Sequence, residues 1–426
     1  MTPTNFAVLL IDCRVDSEPG HPWVCGTLPI NGAGTASERG LRGAYFHPRA
    51  AGALYGNDTD GRRYHRETEE PAPDGQSKLV ALELLRYVAP TGAANALLVL
   101  HVQLPNTPEQ ALDAVAVLAR YGSTGEQMRL WLAGLLEGTG QLSAESHRAF
   151  CAVFVVARGQ PPNLHDQLPR SPDWDAKAQW LFHLAAATSP EDFPPHPDDD
   201  ALLSDRLFFS ASWEALVLRD GAAYLMDADA DAGFRADAYR YFRSIYTDAV
   251  LLGAVQRVRL HQIADEVAGL GDPANSVEPL LRLQREVTGF RNTYWWEHVT
   301  GHGFANQILR AYQHQHLLAE VAGQIFTGLA ESADQARVIA ADRQSVTAAR
   351  GNALVGLVTI IGLPFGVALA TVQALNSSQC NVWLAFSVAA AVALILASTP
   401  PGRAALRPLW RRDTRKKLPE PCNRAS

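Results

Sequence analysis

Near the carboxyl end of this chain, the 52 residues from Gly351 to Gly402 contain no Asp, Glu, Lys, Arg or His. A soluble domain of ordinary composition carries about one charged residue in four, so a stretch of this length reads as two membrane helices joined by a short loop. Ala353 to Leu375 has the apolar length to cross a hydrocarbon core of roughly 30 Å, which takes about 20 helical residues. Val382 to Ala397 is at the lower limit for a second pass, opens with Trp383 at an interface position and is followed by Pro400 and Pro401. Asn376 to Asn381 is the polar turn between them. The alternative is a buried hairpin inside a large soluble core.

The flanks give an orientation. Eight basic residues, Arg403 to Arg424, stand after the second pass against Asp413 and Glu420, and Arg337, Arg343 and Arg350 precede the first. Basic residues at both outer ends and none in the loop place both termini on the cytoplasmic side, and the protein in the inner (cytoplasmic) membrane as a multi-pass chain. Without that tail, 29 Lys+Arg face 42 Asp+Glu, a balance of −13 over residues 1–350. Such a surface disfavours nucleic acid and tolerates cations, or simply confers solubility.

About 350 residues before the hairpin suffice for two or so domains. The five cysteines, Cys13, Cys25, Cys151, Cys380 and Cys422, show no CxxC or Cys/His ligand spacing, which points to reduced thiols. Phe6 to Ile11 is too short for a signal-peptide core and runs into Asp12, so it is expected to be a first strand.

From Asp12 to Gln76 the chain is rich in Gly, Pro and charge, and loops with weak strands are expected. The Asn31–Thr35 glycine pair is read as a turn, since no third glycine follows. Leu79 to Val88 reads as helix or strand. Ala96 to Leu104 and Phe150 to Ala157 are apolar runs of strand length. Helices are expected after Pro105-Asn106-Thr107 (Leu112, Val115 and Leu118 at helical spacing), over Glu126–Leu136 and over Trp174–Ala187. Arg206–Leu218 and Ala222–Asp227 flank an Asp-Gly pair and predict a hairpin; the acidic Pro194–Asp200 before it reads as a solvated loop, with weak cation binding as the alternative. From Asp237 onward the pattern is helical: Ala238–Leu270, then Val277 toward Trp296, then one long helix from near His302 into the first pass, about 70 residues or roughly 100 Å. The expected fold class is an α+β cytoplasmic domain followed by a long stalk helix and two C-terminal transmembrane helices. The expected divisions are 1–230, 231–352, 353–398 and a tail at 399–426.

This plan resembles the CorA-like magnesium transporter superfamily. Locally, Asn352 through Thr359 to Pro364 is similar to that family's first membrane helix at its cytoplasmic end, and Phe290–Trp296 to the aromatic stretch before the stalk in divergent bacterial members. The family's Gly-Met-Asn signature is replaced by Gln373-Ala374-Leu375-Asn376-Ser377, in which Asn376 stands for the asparagine alone. The resemblance implies a homo-oligomer, a pentamer, in the lipid bilayer, with Mg2+ or another divalent cation as transported or regulatory ion. A non-conducting membrane-tethered sensor or interaction protein on the same scaffold is the rival.

Read at heptad spacing, Asn352, Gly356, Thr359, Leu363, Gly366, Ala370 and Gln373 make a small or polar stripe. With Asn376 at its outer end, the stripe would line a pore, Leu363 forming its constriction; the same small residues equally serve close helix packing. Asp334 and Asp342 lie on the stalk without an assignable sensor role. His298, His302, His314 and His316 cluster loosely, and His298/His302 would stand at i, i+4 on a helix; ordinary surface or interhelical histidines are the preferred reading, and the metal ligands are left unknown. Trp295-Trp296 is read as a packing anchor. With no nucleophile elbow, P-loop or HExxH pattern, nothing argues for an enzyme.

Overall fold

In the computed structural model, residues 5–399 are described, apart from 16–17, 31–33, 57–60, 89–93, 121–124, 144–147, 166–172, 197, 199, 270–276 and 376–378. The chain divides into two compact units, 1–271 with 281–330, and 272–280 with 331–426.

In the first unit, β1 (Phe6–Val15), β2 (Val24–Cys25), α1 (Thr35–Tyr45), α2 (Pro48–Tyr55), β3 (Arg63–Pro71), β4 (Lys78–Val88) and β5 (Ala94–Gln103) come first. Then follow α3 (Pro108–Leu118), α4 (Glu126–Leu135), β6 (Gly140–Leu142), β7 (Phe150–Ala157) and α5 (Ala176–Ala186). The three strands β8 (Arg206–Ser210), β9 (Trp213–Val217) and β10 (Gly221–Asp227) precede α6 (Ala232–Tyr241), a π-helical turn (Phe242–Tyr246), α7 (Thr247–Gly269), α8 (Val277–Thr293) and α9 (Gly303–Gln315). The last two helices are α10 (Leu318–Leu375) and α11 (Gln379–Ser398).

The described strands form one sheet in the order β2-β3-β4-β5-β1-β7-β10-β9-β8, with β6 also on β1. Every neighbour is antiparallel except β7 and β10. The central strand β1 is apolar on both faces because both are covered, which is why it reads as a run and not as an alternation. Ala7, Leu9, Ile11 and Cys13 join Leu98, Leu100, Cys151 and Val153 in a core capped by Leu112, Val115 and Leu118 of α3, Leu132 of α4 and Trp180 and Leu184 of α5. On the opposite face Phe6 meets Tyr239 edge-on, Phe154 and Tyr224 meet Phe242, and Phe150 meets Tyr312 of α9.

Local sequence sets the helix starts. Thr107 accepts from the Gln110 amide, with Pro108 in the first turn, and Asp175 and Asp231 cap α5 and α6 through the Ala178 and Phe234 amides. At the start of β10, a Cβ on Gly221 would lie 2.4 Å from the Cys151 carbonyl oxygen and 2.6 Å from that of Ala185, so only glycine lets β7 and α5 close around that strand.

Several expectations are corrected. Residues 12–76 hold two helices and strand β3. Of the two readings open for Leu79–Val88 the strand is the one that forms, whereas the Arg206–Leu218 segment is itself a hairpin, so three strands stand where two were expected. The long helix from His302 is broken: α9 ends at Gln315, and Leu317 takes φ 51° before α10 begins. Among the described residues no helix is long and apolar enough to cross a membrane. The first half of α10 carries Glu320, Glu331, Asp334 and Arg337, and the apolar run in α11, Val382–Ala397, is interrupted by Ser387 and extends about 24 Å at 1.5 Å per residue, short of the roughly 30 Å a crossing needs. The two transmembrane helices, the multi-pass inner-membrane location and the transporter, channel or membrane-tethered functions built on them are therefore withdrawn. The mixed α+β domain remains. Of the expected turn Asn376–Asn381, residues 376–378 lie outside the described residues and Gln379–Asn381 open α11; of Asn31–Thr35, residues 31–33 lie outside them and Thr35 opens α1, and the basic tail also lies outside them.

Candidate functional site

Two polar assemblies occupy the face of the sheet covered by α1, α2, α7 and α9. The first is a sealed charge network. Arg63 on β3 donates from Nε to Glu83 on β4 at 2.7 Å and from Nη1 to Asp248 at 2.9 Å. Asp248, in the first turn of α7, also accepts from Arg42 of α1 at 3.3 Å and from the Tyr55 hydroxyl of α2 at 2.7 Å. Arg42 bonds Glu38 one turn back and the Leu28 carbonyl, while the Leu28 amide donates to Glu83. His101 of β5 completes the group, its Nε2 3.0 Å from Glu83.

Every ionic side chain here is withdrawn from water, so pairing decides protonation. Burial alone would raise the Glu83 carboxyl; Arg63, the His101 bond and Arg42 overcome it and hold that group well below the usual carboxylate range. Burial lowers His101 despite Glu83 beside it, so the ring stays neutral. The network ties α1, α2 and the start of α7 to three strands.

The second assembly lies beside the later turns of α7. The even positions of β1 turn polar there, and Asp12 and Arg14 join Tyr87, Asn95, Ser143, Arg148, the Arg219-Asp220 turn before β10, and His316 after α9. Arg257, Val258, His261, Gln262 and Asp265 of α7 form the other wall of a cleft of about 550 Å³, inside the usual range of about 300–1,000 Å³ for small-molecule sites.

Arg257 reaches Asp12 at 3.3 Å and Arg148 reaches Asp220 at 3.0 Å. Arg14 and Arg219 have no carboxylate partner among the described residues. Asp12 Oδ1, Arg148 Nε and His316 Nε2 are buried without a hydrogen-bond partner among the described residues, as is the hydroxyl of neighbouring Tyr312. Burial raises the Asp12 carboxyl against the pull of Arg257 and His261, and it lowers His316, reinforced by Arg257, Arg219 and His261, to about 3. Cys13 donates to the Ala96 carbonyl, and burial with Asp12 alongside pushes its thiol up, so it is no ready nucleophile.

The residues singled out in the sequence are distributed differently. Asn352, Gly356, Thr359, Leu363, Gly366 and Gln373 all fall in α10. Of the described side chains, the Thr359 hydroxyl donates to the Val355 carbonyl one turn back and Leu363 is exposed. His302 stacks on Tyr45 at 4.3 Å, His314 bonds Asp205 at 2.8 Å and His316 lies in the cleft, so these three do not converge. His298 and His302 precede α9 and share no helical turn. Among the described residues no group of three or more His, Cys, Asp or Glu could hold a metal ion. Asp334 pairs with Arg337. Trp295 packs on Phe326 and Trp296 under Arg49, as an anchor should.

No protein family, curated protein or solved structure matches the chain. The CorA-like resemblance therefore rests on the residues quoted for it.

Proposed function

We propose that this chain is a small-molecule-binding protein whose α/β domain holds a polar ligand in the cleft beside the later turns of α7. The observation that carries this reading is the set of unpartnered buried polar atoms on one cavity, Asp12 Oδ1, Arg148 Nε and His316 Nε2. A buried donor or acceptor left unmade costs about 1–3 kcal/mol, so three on a single cleft call for an occupant that supplies their partners. Binding is favoured over covalent catalysis because Cys13, although its strand lines the cleft, turns its thiol into the core capped by α3, α4 and α5 on the other face of β1.

A thermal-shift screen of the whole chain against small polar metabolites tests this. A ligand at 100 times its Kd stabilises by about 2.7 kcal/mol. His261→Trp, a change at an exposed position that fills the mouth, should abolish the shift while preserving the circular dichroism spectrum. Absence of any stabilising compound, or equal stabilisation of the plugged variant, would discard the reading.

A further inference from the structure

The chemistry of the cleft wall narrows the ligand. Two of its four arginines are already matched by Asp12 and Asp220, which leaves Arg14 and Arg219 to attract an anion, while Asp265 at the exposed rim offsets part of that charge. The nearly balanced lining suits one anionic group and not a polyanion. Arg14 comes from β1, Arg219 from the β9–β10 turn and Arg257 from α7, so donors arrive from three elements. A carboxylate is satisfied by one guanidinium fork; a phosphate group has three terminal oxygens and can use several directions at once.

The remaining unmet atoms ask for the opposite chemistry. Asp12 Oδ1 is an open acceptor, its sister oxygen being taken by Arg257. His316 Nε2 is buried without a partner among the described residues, and a hydroxyl can meet an imidazole nitrogen whether that nitrogen donates or accepts. An acceptor needs an O–H or N–H donor; the inorganic phosphate dianion carries a single P–OH, whereas a polyol adds several hydroxyls beyond its phosphate.

On the reading that the cleft is a ligand site, we infer that its occupant is a phosphorylated sugar or polyol. Its phosphate is drawn by Arg14, Arg219 and Arg257, one hydroxyl donates to Asp12 Oδ1 and another meets His316 Nε2.

Isothermal titration of the whole chain with glucose 6-phosphate, ribose 5-phosphate, glycerol 3-phosphate, inorganic phosphate, glucose and glucuronate provides the test. At least one phosphorylated polyol should bind one per chain and at least tenfold more tightly than phosphate, glucose or glucuronate. Arg219→Gln, at an exposed turn, should weaken it tenfold or more. Asp12→Asn should weaken the phosphorylated polyol relative to inorganic phosphate, whose binding does not fall because the substitution releases Arg257. Circular dichroism confirms that each variant folds, and Arg14→Gln is the substitute if Arg219→Gln does not. Failure of every phosphorylated polyol to bind, or binding no tighter than phosphate or glucuronate, overturns the inference. If another metabolite then binds and Arg219→Gln or His261→Trp abolishes it, the cleft reading survives alone; if nothing binds, both fall.

Discussion

Arg63 and Asp248, 185 residues apart in the chain, meet at 2.9 Å with both side chains fully shielded from solvent. The pair joins an outer region of the sheet to the first turn of α7. Asp248 also receives Arg42 and Tyr55, so its removal takes a buried carboxylate from two guanidinium groups at once, leaving Arg63 with Glu83 and Arg42 with Glu38. Breaking a buried pair by deleting one partner costs about 3–5 kcal/mol, far more than an exposed bridge is worth. Asp248→Ala should lower the denaturant midpoint by that amount, and Asp248→Asn by less because its amide oxygen still accepts. A loss under about 1 kcal/mol for Asp248→Ala would show that the network is not a determinant of stability.

Acid sensitivity should arise on the other face. His165 and His183 face one another Nε2 to Nε2 at 3.0 Å, so one ring donates and the other accepts. Burial and the His165 neighbour lower His183 to about 4, whereas an unfolded histidine titrates near 6.5. Between those values the unfolded chain binds more protons. The contribution of this group is thus complete above about pH 6.5, declines as pH falls and levels off below about 4. His183→Gln should flatten the stability profile across that window relative to the parent, read from urea midpoints at half-unit pH steps. Parallel profiles would contradict the assignment.

How far the sequence reveals this architecture depends on what each element buries. β1, β5 and β7 are covered on both faces and appear as continuous apolar runs; α3 is marked by Thr107 and Pro108 at its start. Helix α1 is hidden from periodicity because its buried positions include Glu38 and Arg42, which look like a solvated face. Strand β3, RYHRETEEP, is hidden for the same reason: Arg63 and His65 point inward. The network closes over separations of 185 and 206 residues, so no local motif could announce it. Of the cleft, the sequence marks Asp12 after the apolar start of β1, the Asp-Gly turn at Asp220 and His316, but as separate features with nothing to bring them together. The first half of the uncharged segment after Gly351 completes a helix that starts at Leu318 with charged turns.

Glycines at two helix positions should respond in opposite directions to the same substitution. In α7, a Cβ on Gly253 would stand 2.5 Å from the Tyr312 ring of α9, which is fully buried and cannot swing clear. Overpacking of this kind costs about 1–3 kcal/mol, which outweighs the gain of up to about 1 kcal/mol in helix propensity. Gly323 in α10 has nothing within 4 Å of the added carbon. Gly253→Ala should therefore lower the melting temperature and Gly323→Ala raise it. A stabilised Gly253→Ala would mean that α9 does not pack against α7 at this distance.

Thiol chemistry offers a probe of the core without mutation. Cys13 and Cys151 are buried on the same face of β1 and β7, at 2% and 0% exposure, and burial pushes Cys151 up to about 12 and Cys13 higher still. The thiolate is the reactive form, so at pH 8 both should resist alkylation in the native chain. Cys25, half-buried on the two-residue edge strand β2, should be modified first of these three. Iodoacetamide labelling followed by peptide mass spectrometry should show Cys25 modified while Cys13 and Cys151 remain intact until denaturant is added. Labelling of Cys13 at a rate comparable to Cys25 would place the sheet's central strand in contact with solvent, which is incompatible with the core capped by α3, α4 and α5.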